Sequence, residues 1–239
     1  RRVFVKWFQS VTLDCEGVFI YDIDNDEIIK ATPSKTRVER SRSIEIPSDT
    51  LFDRKLYELA LTQDQVNAVK TLENIVKKPR KRISIVLIAN RGRGKSCAIG
   101  IALAGIIKEL LKVKHRIRIG VTAPELLNVQ ALMNMAMKSL EALGMKYKVV
   151  KRKDMIIELR GERFSIEYWE PMVLSRIDVD IAVVDEAAGI PVPLLHEVWK
   201  NHRRSIFAST IHGYEGAGRG FSVRFLKRLK EDPNTELYM

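Results

Sequence analysis

The chain has 239 residues, 46% of them hydrophobic, enough to bury one large domain or one domain with an appendage. Its 41 basic residues outnumber the 30 acidic ones, and the formal charge of +11 points to a polyanionic partner, most simply nucleic acid. The two cysteines lack C-x-x-C spacing, the four histidines lack ligand spacing, and no apolar run has membrane length, which sets aside a disulfide framework, a zinc site and a membrane span.

A reducing cytoplasm fits this cysteine usage. The start, Arg1-Arg2-Val3-Phe4, carries neither an initiator Met nor a signal-peptide pattern, so the chain is expected to be a piece of something longer. Residues 3–8 and 18–23 read as strands. Asp22, Asp24 and Asp26 mimic the start of a calcium loop. Glu27 stands where the glycine is due, however, and Pro33 where the last acidic ligand belongs, so calcium is rejected. Residues 33–43 are polar and basic and read as an exposed linker. The expected division is therefore a partial N-terminal domain and basic linker over 1–43, and a main domain over 44–239.

Leu61-Thr62-Gln63-Asp64-Gln65 precedes a helical pattern at Val66, Val69, Leu72 and Ile75, with Thr62 placed to cap it. A side-chain amide can donate to and accept from an adenine edge at once, and Gln65, rather than Gln63, is the glutamine expected to do so. A solvent-facing helix start is the alternative. Residues 77–82, K-K-P-R-K-R, form a basic loop that either touches phosphate or is simply solvated.

Residues 83–96 read I-S-I-V-L-I-A-N-R-G-R-G-K-S. A β-branched apolar run reads as a buried strand, a two-glycine loop follows, and a long apolar run then reads as a helix. Strand, glycine loop, Lys-Ser and helix together make a phosphate-binding loop. Glycine lets the backbone approach a phosphate closely, and the helix start supplies free N–H groups and a favourable dipole. Nucleotide contacts are expected from Arg91, Gly92, Arg93, Gly94, Lys95, Ser96 and Cys97. Lys95 would reach the β- and γ-phosphates, and the Ser96 hydroxyl would ligate Mg²⁺. One departure stands out: the first glycine of the general G-x-x-x-x-G-K-[ST] pattern is Ala89 here.

A strand over 117–121 follows, then a helix over 124–143 opened by Pro124 and closed by Gly144. Residues 146–153 are a second basic run, and 155–169 read as a hairpin. Residues 181–188, I-A-V-V-D-E-A-A, place Asp185 and Glu186 at the carboxyl end of a buried strand, where ligands of open α/β sheets bind. Asp185 is expected to hold Mg²⁺ and Glu186 to orient and deprotonate the attacking water. Lys95 and Glu186 are thus the expected catalytic pair. Pro191 and Pro193 open a helix through Trp199, and a strand over 205–210 ends in Ser209 and Thr210. Ser209, Thr210 and His212 stand where a polar side chain can sense a γ-phosphate. A second glycine-rich loop runs over 213–221. Its Arg219 is expected to contact phosphate or nucleic acid, with a turn-stabilising role as the alternative. The last helix, 223–230, is basic on one face. The expected fold is α/β, a RecA-like P-loop NTPase with a mainly parallel sheet and helices on both faces, plus the short partial N-terminal segment.

The segments A-N-R-G-R-G-K-S, V-V-D-E-A-A-G-I-P-V-P-L-L and S-T-I-H-G-Y-E-G-A-G-R-G-F together resemble the tRNA(Met) cytidine acetyltransferase family. The resemblance covers about residues 61–221, and Ala89 is tolerated in that family. It implies an RNA-helicase-like ATPase module using ATP and Mg²⁺, with tRNA or another RNA as partner and no membrane. It also implies neighbouring N-terminal and acetyltransferase domains in the full-length chain, with acetyl-CoA used only there. No acetyltransferase segment follows residue 221 in this chain, and a second ATPase lobe with an arginine finger is not evident. A weak ATPase is therefore expected of this part alone. An independent helicase or translocase, or a non-catalytic RNA-binding scaffold that keeps a nucleotide for structure, are the competing expectations.

Overall fold

The computed structural model describes residues 2–32, 44–78, 80–210 and 220–239. The chain divides into two compact units, Arg1–Ser43 and Ile44–Met239.

In the first unit, helix α1 (Arg2–Asp14) precedes an antiparallel pair, β1 (Phe19–Asp22) and β2 (Glu27–Ala31). The strand expected over 3–8 is helical. Phe4, Trp7, Phe8 and Val11 recur at helical spacing, and Phe4 stacks on Phe8 one turn later at 6.2 Å. The triple-aspartate stretch is the β1–β2 turn. Asp22 accepts from the Asp24 N–H at 2.9 Å and the Asn25 N–H at 3.2 Å, which is how a turn aspartate uses its carboxylate.

The second unit is built on an eight-stranded sheet. Its strands are β3 (Arg82–Ile88), β4 (Ile117–Thr122), β5 (Lys148–Arg152), β6 (Met155–Arg160), β7 (Phe164–Tyr168), β8 (Ile181–Val184), β9 (Arg204–Ser209) and β10 (Thr235–Tyr238). They lie in the order β10-β3-β9-β8-β4-β7-β6-β5. From β10 to β7 every neighbouring pair is parallel, and β6 and β5 add an antiparallel edge. The α/β, mainly parallel architecture expected from the sequence is the one observed. Strands β3 and β8 belong to one sheet, separated by β9.

Side-chain alternation sends each strand to two cores. Ile83, Ile85 and Leu87, with Ile206 and Ala208, face a layer of α3 (Gln63–Leu72), α4 (Lys95–Leu110) and α5 (Gln130–Ala142). Val86, Val184 and Phe207 face the other layer, which holds α7 (Val192–Asn201) and α8 (Leu226–Glu231). Two one-turn helices complete the set, α2 (Arg54–Tyr57) and α6 (Pro171–Leu174). Helix α4 buries eleven of its residues between sheet and neighbouring helices, which is why the run after Ser96 is almost wholly apolar.

Several boundaries differ from the sequence expectations. The helix expected from Pro124 begins later: a 3₁₀ turn, Leu126–Val129, leads into α5 at Gln130. Glu125 starts that turn through a reciprocal capping box with Asn128, and Pro124 lies before the cap. The basic run over 146–153 contains strand β5, exposed along its length, with Lys153 and Asp154 turning the chain at positive φ. The last expected helix splits into a π-helical stretch, Gly220–Phe225, and α8. Strand β10 was not anticipated at all.

Candidate functional site

The phosphate-type loop joins β3 to α4. Its two glycines both adopt positive φ, +78° at Gly92 and +77° at Gly94, while Ala89 does not. Those are the positions where a Cβ is costly, which explains why Ala89 can replace the first glycine of the general pattern. Gly94 is the N-cap of α4 and offers no side-chain cap. The N–H groups of the first helical turn, which have no intrahelical acceptors, are therefore open to an anion. Lys95 Nζ donates to the carbonyls of Ala89 at 2.9 Å and Asn90 at 3.1 Å, so the ammonium rests on its own loop. Burial lowers the Lys95 pKa, and the charges of Asp185 and Glu186 oppose that fall.

The acids come from β8. Asp185 follows its last residue, is 1% exposed, and is held by its backbone N–H to the Thr122 carbonyl at 2.8 Å. Its Oδ1 accepts from the Glu186 N–H at 2.9 Å. Its Oδ2 is among the few buried side-chain oxygens without a partner among the described residues, as is Thr122 Oγ1. Burial raises the Asp185 pKa; the nearby Ser96 hydroxyl and the Glu186 N–H pull it back. Glu186 sits in the left-handed region at φ 46°, ψ 44°, a conformation that L-residues hold only when their surroundings enforce it. Burial also raises the Cys97 thiol pKa, with the Asp185 charge second.

A cavity of about 240 Å³ gathers these groups: Arg91, Gly92, Gly94, Lys95, Ser96 and Cys97 from the loop side, and Asp185, Glu186 and Thr210 opposite. Thr210 follows β9, the strand between β3 and β8, which places it between loop and acids. Gln65 and Arg93 line an adjoining cavity of about 390 Å³, which shares Gly94 and Lys95 with the first. Thr62 caps α3 by accepting from the Gln65 N–H at 3.3 Å. The Gln65 side chain is buried, accepting from the Leu61 N–H at 2.7 Å and donating to the Gly94 carbonyl at 3.5 Å. Gln63 turns elsewhere, bonding the Glu45 backbone. Arg219 and His212 lie outside the described residues.

Comparison with known proteins fixes the family. The helicase-domain profile of the RNA cytidine acetyltransferase NAT10/TcmA family matches residues 86–239, more than half the chain. The chain belongs to that family. It is 45% identical over 97% of its length to the tRNA(Met) cytidine acetyltransferase TmcA of Pyrococcus abyssi. It is 46% identical over its full length to the same enzyme of Thermococcus kodakarensis. It spans only 27% and 28% of those two proteins. Among solved structures, the large terminase of a thermophilic bacteriophage superposes with a TM-score of 0.52 at 11% identity, covering 74% of this chain and 45% of that one. The same terminase in complex with ADP gives 0.52 at 12% identity, covering 74% and 44%. These likenesses show the fold alone, an α/β domain on a mainly parallel sheet.

A further cavity of this helicase-family domain lies away from the loop. A groove of about 910 Å³ runs past Arg116, Arg118, Arg152 and Arg160, with Tyr168 and Trp169 along it. Arg118 is committed to Glu167, which it meets with both Nε and Nη2 at 2.8–3.2 Å, and Arg160 to Glu158 at 2.7 Å. A second cavity of about 450 Å³ shares Leu126, Arg152, Tyr168 and Glu170 with it. The basic runs at 77–82 and 146–153 border β3 and β5, six strand spacings apart in the sheet order, or about 29 Å.

One residue at the site escaped the sequence reading. Asn128 Nδ2 donates to Glu186 Oε2 at 3.2 Å across 58 positions. The sequence signal was present only as a helix-start pattern, Glu125 followed three residues later by a side-chain acceptor. Nothing in it pointed to Glu186. Among the described residues, no helix is long and apolar enough to cross a membrane.

Proposed function

We propose that this chain is the ATP-binding and ATP-hydrolysing module of a tRNA(Met) cytidine N4-acetyltransferase, coupling hydrolysis to the handling of tRNA for wobble-cytidine acetylation. The observation that carries the reading is the convergence of Gly92, Gly94, Lys95 and Ser96 on a buried Asp185 whose Oδ2 has no partner among the described residues. A buried carboxylate oxygen without a partner is costly, and a site that normally receives a ligand explains it.

In this reading ATP lies across the two adjoining cavities, its base towards Gln65 and its phosphates over the loop. The first-turn N–H groups of α4 and the Lys95 ammonium bind the β- and γ-phosphates. Lys95 leaves the Ala89 and Asn90 carbonyls to do so. Asp185 and Ser96 offer oxygen donors of the kind Mg²⁺ takes, and Mg²⁺ bound there would neutralise charge on the phosphates. Glu186 accepts a proton from the attacking water, and Thr210 lies where it can donate to the γ-phosphate.

The net charge of +11 makes a polyanion the expected partner, and RNA is the proposed one. The groove suits a single strand, because bases can stack on Tyr168 and Trp169 while Arg116 and Arg152, its two arginines not committed to a glutamate among the described residues, meet phosphates. Nucleotide titration of the full-length protein tests the ATP site. Lys95→Ala should abolish binding, and unchanged affinity in that variant would overturn the reading.

A further inference from the structure

We infer that Asn128 is a positioning residue that holds Glu186 in the geometry from which it activates water. The inference rests on the proposed role of Glu186 and adds the group that orients it.

The Asn128 amide is locked at both ends. Its Oδ1 accepts from the Glu125 N–H at 3.0 Å, so its Nδ2 must face the other way, where it donates to Glu186 Oε2 at 3.2 Å. An amide has one acceptor and one donor end, and fixing the first fixes the second. The turn that carries Asn128 is itself tied to the acidic loop. Gly189, in the 3₁₀ turn that follows Glu186, has no Cβ, and one built there would lie 2.6 Å from Pro124 Cγ. Residues 124–128 can therefore sit against 186–189 only because position 189 is glycine.

The contact uses a single oxygen of Glu186 and leaves Oε1 for a water. A general base needs a third group to aim it, as nucleophile–base pairs do elsewhere. Backbone strain sharpens the need. Glu186 is held at positive φ, and the side chain of a residue there starts from an uncommon direction. Asn128 supplies the fixed point that the backbone alone does not.

Asn128→Asp separates this role from a merely structural one. Aspartate keeps the acceptor that caps the Glu125 N–H and suits a helix start, but it presents an oxygen to Glu186 where the donor was. In the full-length protein, kcat for ATP hydrolysis should fall about tenfold or more, the range seen when groups that orient a reacting residue are removed. The fall in kcat should exceed any change in KM for ATP, and any loss of Tm from the facing carboxylates should be relieved in the Glu186→Gln background. In a Glu186→Gln background the same substitution should cost nothing further, because the residue it orients no longer acts. Asn128→Ala, which also loses the cap, should lose the same kcat and some Tm, and it serves the same cycle if the aspartate variant does not fold. Normal kcat in Asn128→Asp beside a slow Glu186→Gln would overturn the inference and leave the role of Glu186 standing. So would a loss that recurs in the Glu186→Gln background. Normal turnover in Glu186→Gln itself would remove the reading on which the inference rests.

Discussion

Gln65 packs its amide directly onto Gly94. A Cβ at position 94 would lie 2.1 Å from Gln65 Nε2, and Gly94 has φ +77°. The two residues, 29 positions apart, thus define where the helix before the loop meets the loop itself.

Gly94→Ala should therefore fail twice, through the clash and through a left-handed backbone that costs an L-residue about 1–2 kcal/mol. The expected outcome is a lower Tm and weaker nucleotide binding. Adding Gln65→Ala should recover, in Tm, only the part due to the clash, while nucleotide binding stays weak because the proposed base contact is gone. Thermal melts of the single and double variants check this, and full recovery of Tm in the double variant would put the stability cost in the clash alone.

Asp185 carries a pH signature. Burial raises its pKa in the folded protein above the unfolded value of 3.8, so its contribution to stability is fully present below that pH and is lost as pH rises through the folded pKa. Asp185→Asn removes that penalty. The variant should melt above the parent at neutral pH, with the gap closing below about pH 4. It should also lose ATP turnover, the usual exchange of stability for function at such a site. A melting curve for the variant that tracks the parent at every pH would contradict the assignment of a buried carboxylate whose Oδ2 has no partner among the described residues.

Glu73 anchors the segment over residues 51–57, whose Phe52 packs against Gly105 of α4. Its buried Oε1 accepts from the Leu51 N–H at 2.7 Å, the Phe52 N–H at 2.8 Å and the Tyr57 hydroxyl at 2.6 Å. Its Oε2 pairs with Lys70 at 3.0 Å. Glu73→Ala leaves those donors buried without an acceptor and should cost about 3–5 kcal/mol, read in a denaturant or thermal melt. A loss under about 1 kcal/mol would mean that water or another acceptor replaces it.

RNA binding should be electrostatic. Each phosphate contact adds about 0.7 to the log–log salt slope for a single strand. Arg152→Ala, in the groove, should lower the slope of tRNA binding to the full-length protein by about that amount without changing preference between RNA sequences. A slope that stays the same would take Arg152 out of the interface.

The parts of this domain that were legible in the sequence are those encoded over short distances. The β-branched run before Ala89, the glycines of the loop, Lys95-Ser96 and the apolar run ending at Asp185 each announce their structure locally, and the parallel sheet follows from their alternation with helices. Strand β10 was not legible, because Thr235–Tyr238 is four residues long and pairs only with β3, to which it returns from the far end of the chain. Strand β5 was hidden by its lysines, which mark an exposed edge as readily as a solvated loop. The 3–8 stretch was misread because a short apolar run has no unambiguous period. Asn128 was invisible for a different reason: its partner is 58 positions away, and only the adjacency of β4 and β8 in the sheet brings the two together.

The measurement that bears most directly on the account is single-turnover ATP hydrolysis by the full-length protein carrying Glu186→Gln. The account predicts nucleotide binding at the parent's affinity and a hydrolysis rate lower by about 10²-fold or more, since only the group that accepts the water's proton is lost. Hydrolysis at the parent's rate would contradict it.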